Sequence, residues 1–274
     1  MTRDKKARSV WQYGRSAILM AAALAVSGFA TTGATAQQSC PKTIKVATEG
    51  AFPPWNYVDA NGKLAGWDIE ITAALCKAIG AECPVAAQAW DGIIPGLQAG
   101  KFDAIIAQMS MTPKRMEQVD FTIKYKESSS RFVAKKGTIT EVTPAALKSK
   151  TIGVQRGAAQ RTWLEEQGYS NIRHYETTQA VELDLIAGRI DLLIQNTATS
   201  SLVFFKRPES KDFEFVGPEF KGGTLGAGQA IAIRKGDNTL RECFNTAIRA
   251  IRKSGEYDAI SAKYVPFKLL TEDQ

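Results

Sequence analysis

Apolar residues follow two rhythms along this chain. Short continuous apolar runs predict opening strands at Thr43-Ile44-Lys45-Val46-Ala47 and Thr151-Ile152-Gly153-Val154-Gln155. A 3.6-residue period through Trp67, Ile71, Leu75, Ala78 and Ile79 predicts a helix over Trp67 to Ile79, and a similar one covers Leu240 to Lys253. Strands alternating with helices, and strands that are apolar throughout, call for parallel sheets covered on both faces. The class is α/β.

The pattern nearly repeats. Leu97-Gln98-Ala99-Gly100-Lys101-Phe102-Asp103-Ala104-Ile105-Ile106 matches Leu185-Ile186-Ala187-Gly188-Arg189-Ile190-Asp191-Leu192-Leu193-Ile194: a helix end, a glycine stop, a basic residue, then a strand. Two lobes on one plan are expected, and they interleave. The chain changes lobe near 128–130, builds the second lobe over 129–228, and crosses back through the glycine-rich stretch 222–229. Residues 37–128 and 229–274 form the first lobe. Two crossings make a hinge and a cleft, with the strands' carboxyl ends facing one another across it.

Charge first points elsewhere. A formal +7 over 274 residues invites a nucleic-acid partner. Residues 1–36, however, hold Arg3, Lys5, Lys6, Arg8 and Arg15 against Asp4, then the apolar run Ala17 to Ala30 and Ala34-Thr35-Ala36. That is the layout of a secretory signal peptide, expected to be cleaved after Ala36. The remaining chain carries 30 basic and 27 acidic residues, so no nucleic acid is expected. Export also permits oxidation of the four cysteines. Cys76 and Cys83, seven apart across a helix end stopped by Gly80, suit a short disulfide, while a Cys40–Cys243 pair is permitted only. One histidine, His174, sits in an alternating stretch that reads as an exposed strand, and no Cys-x-x-Cys occurs. No metal site and no cofactor are expected.

The predicted strand ends carry the chemistry. After the first strand come Glu49 and then Phe52-Pro53-Pro54-Trp55, and Trp90 stands at another strand end. Each ring alone could equally belong to a core; their shared placement beside a carboxylate assigns Phe52, Trp55 and Trp90 to a cation box. Ser110 ends a strand, with Thr112 a helix N-cap, Pro113 the first helical residue and Arg115 within the first turn, which makes an anion site. The amides of Gly157, Ala159 and Gln160, opening a helix after Gln155, face it from the second lobe, and Asn196 ends the second repeat's strand. A zwitterion with a cationic side chain fits such a cleft.

Several segments together resemble the family 3 periplasmic solute-binding proteins of polar amino acid ABC importers, and most of all the lysine/arginine/ornithine, histidine and octopine/nopaline branch. These are Ala47-Thr48-Glu49-Gly50, Gly66-Trp67-Asp68-Ile69-Glu70-Ile71 through Leu75-Cys76, Trp90-Asp91-Gly92-Ile93-Ile94-Pro95, Met109-Ser110-Met111-Thr112-Pro113-Lys114-Arg115 and Gly153-Val154-Gln155-Arg156-Gly157. Trp67 replaces the usual Phe or Tyr. The resemblance implies a type II clamshell with a two-segment hinge, in the periplasm of a Gram-negative bacterium. It acts there as a monomer that hands its ligand to a membrane permease, with a chemoreceptor as a further partner the loaded form could meet. It implies a disulfide between Cys76 and Cys83, Arg115 and Ser110 on the α-carboxylate, Phe52 and Trp90 sandwiching the side chain, and Glu49 on its cationic end. Ala107, Gln108 and Met109 lie along the same ligand strand, Ala107 and Gln108 in a position rich in serine among relatives. Asn196 stands where the family has an Asp for the α-ammonium, which points to an amine that is substituted, as in an opine. The same fold also resembles cyclohexadienyl dehydratases, an enzymatic alternative to a protein without catalysis.

Overall fold

A computed structural model describes residues 39–270; the predicted signal peptide lies outside the described residues. The chain runs through β1 (Val46–Thr48), β2 (Ala51–Phe52), β3 (Asn56–Val58), β4 (Leu64–Ala65), α1 (Trp67–Ile79), β5 (Val85–Ala87), α2 (Trp90–Gln98), β6 (Ala104–Ile105), α3 (Pro113–Met116) and β7 (Val119–Phe121). It continues with β8 (Ser130–Lys135), β9 (Ile152–Gln155), α4 (Ala159–Glu166), β10 (Ile172–Tyr175), α5 (Thr178–Ile186), β11 (Leu192–Asn196), α6 (Thr197–Leu202) and β12 (Phe213–Phe220). It ends with β13 (Ala232–Arg234), α7 (Asn238–Lys253) and α8 (Glu256–Ser261).

Two five-stranded sheets organise these elements. One has the order β5-β1-β6-β13-β7 and the other β10-β9-β11-β8-β12; β2, β3 and β4 form a small third sheet. The chain leaves the first sheet after β7, completes the second, and returns with β13, the double crossing expected of two interleaved lobes. Both main sheets are mixed rather than parallel as predicted. β5, β1 and β6 pair in parallel, but β13 runs antiparallel to β6 and β7, and β8 antiparallel to β11 and β12. The reason is connectivity. β8 and β13 arrive from the other lobe rather than through a crossover helix over their own sheet, so nothing imposes the parallel direction.

Unbroken apolar strands follow from burial on two faces. In the first sheet Val46, Ala104, Ile106, Ile231 and Ile233 join one core with α1 and α7, while Ala47, Ile105 and Ala232 point to a second core beneath α2. In the second sheet Phe132, Ile152, Val154 and Ile194 fill one face, and Val133, Leu193 and Phe213 the other. The period-two alternation thus survives in a sequence where every position is apolar.

Helix α1 occupies the predicted span. Gly66 precedes it at φ 115, where a Cβ would stand 2.4 Å from the Trp55 carbonyl oxygen, so only glycine fits. Gly80 closes it in the left-handed conformation. The glycine-rich run is not a hairpin. Gly223–Leu225 form a 3-10 turn, and a Cβ at Gly228 would lie 2.1 Å from the Lys124 side chain. The two crossing segments are therefore packed against each other, with Lys126 bridged to Gln229. His174 is exposed on β10, as predicted.

Both disulfides are formed, Cys76–Cys83 and Cys40–Cys243. The second joins residues 203 apart and ties the start of the described chain to α7, so the whole second lobe lies inside its loop. Replacing Cys40 and Cys243 by Ala should lower unfolding stability by about 2–5 kcal/mol, chiefly through the freed unfolded chain. Urea titration of oxidised wild type and the double variant measures it. An unchanged midpoint would show that the closure contributes nothing.

Candidate functional site

The carboxyl ends of the strands from both sheets meet around one cavity of about 600 Å³, open solvent at its mouth included. From the first lobe it is lined by Glu49, Phe52, Trp90, Ala107, Gln108, Ser110 and Arg115. From the second lobe and the crossings come Ser128, Gln155, Ala158, Ala159, Gln160, Asn196 and Gln229, among others.

Arg115 is placed by the helix start read in the sequence. Thr112 caps α3, its Oγ accepting the Arg115 backbone N–H at 3.2 Å, and Pro113 is the first helical residue. The guanidinium then donates to the carbonyls of Ser110 and Gly157, each at 3.0 Å, and stands 5.2 Å from the Trp90 ring centroid. It is 8% exposed and makes no ion pair among the described residues. Burial pulls its pKa down to about 10, which still leaves it charged at neutral pH. A buried cation held only by neutral carbonyls retains free N–H groups for an anion.

Glu49 is its counterpart. It is 7% exposed, takes a 2.6 Å hydrogen bond from Gln155 Nε2, and also makes no ion pair among the described residues. Burial raises its pKa to about 7, the Gln155 bond opposes that, and the Asp91 charge adds to it. The cavity thus holds one buried cation and one buried carboxylate that do not neutralise each other.

Four contacts hold the lobes together over the cavity. Arg115 reaches Gly157, Gln155 reaches Glu49, Arg156 pairs with Asp91 at 3.1 Å, and Trp55 Nε1 donates to Thr199 Oγ1 at 2.8 Å.

Three predicted site residues stand elsewhere. Trp55 is fully buried, edge-on to Trp67 at 6.0 Å, with Lys126 Nζ 4.1 Å from its ring centroid. The turn after Phe52, closed by the Trp55 N–H on the Phe52 carbonyl, folds Trp55 back into the core and leaves Phe52 at the cavity. Met109 is fully buried in the apolar layer with Ala47 and Ile105: beyond the end of β6 the chain turns at Gln108, whose φ is 56, and the Met109 side chain packs into the core rather than lining the cavity with Gln108 and Ser110. Gly157 contributes its carbonyl to Arg115 rather than an amide to the cavity, and lines a neighbouring cavity instead. Its φ of +71 turns the chain so that Ala158, Ala159 and Gln160 face inward.

Asn196 lines the cavity, as predicted for a strand-end residue, and also caps a helix. Its Oδ1 caps α6 by accepting the Thr199 N–H at 3.1 Å, and its Nδ2 donates to Ser128 Oγ at 3.3 Å. Gln155, at the end of β9, is a site residue that the strand-end rule could have found. Gln195, beside Asn196 at the end of β11, carries the same strand-end signal as Gln108 and Ser110 in the first repeat, whereas Ser128, Gln229 and Thr178 carry none, because the crossings and the packing of α5 bring them in.

No helix among the described residues is long and apolar enough to cross a membrane, and no group of His, Cys, Asp or Glu among them could hold a metal ion. The model of the bacterial extracellular solute-binding proteins, family 3, matches residues 44–267. The chain is 37% identical over 256 residues to the L-arginine-binding protein of Pseudomonas aeruginosa, covering 92% of this chain and 96% of that one. It is 32% identical to the octopine-binding periplasmic protein of Rhizobium meliloti, covering 90% and 96%. A solved ancestral arginine-binding protein bound to arginine superposes with a TM-score of 0.73 at 34% identity, covering 82% and 98%.

Proposed function

Because this chain belongs to family 3 of the bacterial extracellular solute-binding proteins, we propose that it captures a basic amino acid or an opine in the periplasm for an ABC importer. The observation that carries this reading is the pair of uncompensated buried charges in one cavity. Arg115 takes the ligand's α-carboxylate, Glu49 its guanidinium or ammonium, and Phe52 and Trp90 its apolar stem. Each buried charge is costly alone, and a ligand carrying both complements relieves both at once. Closure of the lobes over the bound molecule is what the permease reads, and the protein works as a monomer without a cofactor. Relatives that bind arginine and octopine support the ligand class.

A thermal-shift and calorimetric screen of arginine, lysine, ornithine, histidine, octopine and nopaline tests the reading. One or more should bind with micromolar or tighter affinity. Silence across the panel, or turnover of prephenate, would replace it with another function.

Asn196 bears on the choice within that panel, since a neutral amide stands where a charge would favour a free primary ammonium. Asn196→Asp should shift preference towards arginine and away from octopine, while Asp still caps α6. Competition between the two ligands in one titration reads the shift, and an unmoved ratio counts against the argument.

A further inference from the structure

Asn196 Oδ1 already accepts the Thr199 N–H at 3.1 Å and the Thr199 hydroxyl at 3.4 Å, so an amino group in the cavity calls for another acceptor. Two side chains offer one. Gln108 and Gln195 line the same cavity from opposite lobes, are 4% and 6% exposed, and their Oε1 atoms are buried without a partner. In each case the amide nitrogen is already engaged with a buried carboxylate. Gln108 Nε2 donates to Asp68 Oδ1 at 2.7 Å, and Gln195 Nε2 to Glu182 Oε1 at 3.0 Å and Ser200 Oγ at 2.9 Å.

These bonds fix which end of each amide is free. Burial raises the pKa of Asp68 to about 7 and that of Glu182 above the usual carboxylate range, so above pH 7 Asp68 is mainly ionised. An ionised carboxylate only accepts, and an amide beside it cannot turn its oxygen towards it. Asp68 Oδ2 accepts from Asn56 Nδ2, an amide itself oriented by the Gly50 N–H on Asn56 Oδ1 at 2.8 Å. Glu182 Oε2 pairs with Arg207 at 2.8 Å. Gln108 also holds a positive φ of 56, a conformation that non-glycine residues seldom keep without a reason. A buried carbonyl without a donor is destabilising, and here two are kept on residues that line one cavity.

We propose that Gln108 and Gln195 form a locked pair of neutral carbonyl acceptors, one per lobe, which receive the N–H donors of the ligand's amino group. Asp68 and Glu182 are the positioning residues that hold the two amides in that orientation. This assignment rests on the amino acid or opine reading above. The ammonium is thereby recognised through hydrogen bonds rather than through a full charge beside it, and an N-substituted ammonium that keeps its N–H hydrogens is served as well as a primary one.

The test is a chemical double-mutant cycle by calorimetry, with arginine and its desamino analogue 5-guanidinopentanoate as probes. In wild type, removal of the amine should weaken binding by about a hundredfold, the loss of two donors to buried acceptors. In Gln108→Met or Gln195→Met the same removal should cost about tenfold less, because one acceptor is already gone. Glu182→Gln keeps the side chain's shape but lets the Gln195 amide turn, and should reduce the arginine preference in the same direction. Additive losses in both Met variants would overturn the pairing. If a Met variant fails to fold, Glu182→Gln decides alone, with an unchanged preference overturning the proposal. Absence of any binding of arginine and octopine by wild type would overturn this assignment together with the function it rests on, whereas wild-type binding with an additive cycle would overturn only the assignment.

Discussion

Arg115→Ala should weaken binding of arginine or octopine by about 2–5 kcal/mol, roughly thirtyfold to several thousandfold. The variant strands the ligand's carboxylate in a closed cavity, with only the Ser110 hydroxyl and the amides at the start of α4 to receive it. It also deletes the contacts by which Arg115 holds the Ser110 and Gly157 carbonyls and stacks by Trp90, so closure of the lobes should suffer with affinity. Arg115→Lys separates the two effects. A lysine keeps the charge but not the planar fork, so it should restore only part of the lost affinity. Titration calorimetry measures both variants, and near-wild-type affinity in Arg115→Ala would remove the carboxylate role altogether.

The second large effect belongs to Glu49. Glu49→Gln should reduce affinity for a cationic side chain by about 2–3 kcal/mol, the value of a hydrogen-bonded buried charge. Its pH signature is the more specific reading. In the free protein its pKa is raised to about 7 by burial, so at lower pH the carboxyl is neutral and the cation must displace its proton. Affinity should therefore fall as pH drops below about 7, approaching about tenfold per pH unit, and the slope should vanish in Glu49→Gln. The stability of the free protein carries the opposite sign. A carboxyl whose folded pKa exceeds its unfolded value binds its proton more tightly when folded, so its contribution to stability grows as pH falls from about 7 towards 4.5. Binding titrations from pH 8 to 5.5 on wild type and variant decide this. A wild-type affinity that is flat over that range would rule out Glu49 as the cation's partner.

Both effects come from residues that the sequence brought out, since Glu49 and Arg115 stand just past predicted strands. The Thr112-Pro113 helix start was legible because capping is local chemistry, and helix α1 because its period and its glycines are local too. Other features depended on what lies far along the chain. Trp55 looks like a ligand aromatic beside Phe52 until the fold packs it on Trp67 and Thr199. Met109 shares a segment with Gln108 and Ser110 and points the other way. The antiparallel placement of β8 and β13 follows from how the crossing chain enters each sheet, which no local pattern records.

The sequence by itself determined two α/β lobes joined by two crossings, a cleft at the strand ends, and opposite charges placed there. Periodicity, helix capping and strand-end polarity are short-range properties, so they can be read without coordinates. Only the tertiary structure decided which atoms of those residues are spent and which remain free. Asn196 gives its oxygen to a helix cap, while Gln108 and Gln195 give their nitrogens to buried carboxylates 40 and 13 residues away. Hydrogen-bonding capacity is shared out by three-dimensional neighbours, and that sharing leaves two buried carbonyl oxygens without a donor, on residues that line the cavity from opposite lobes.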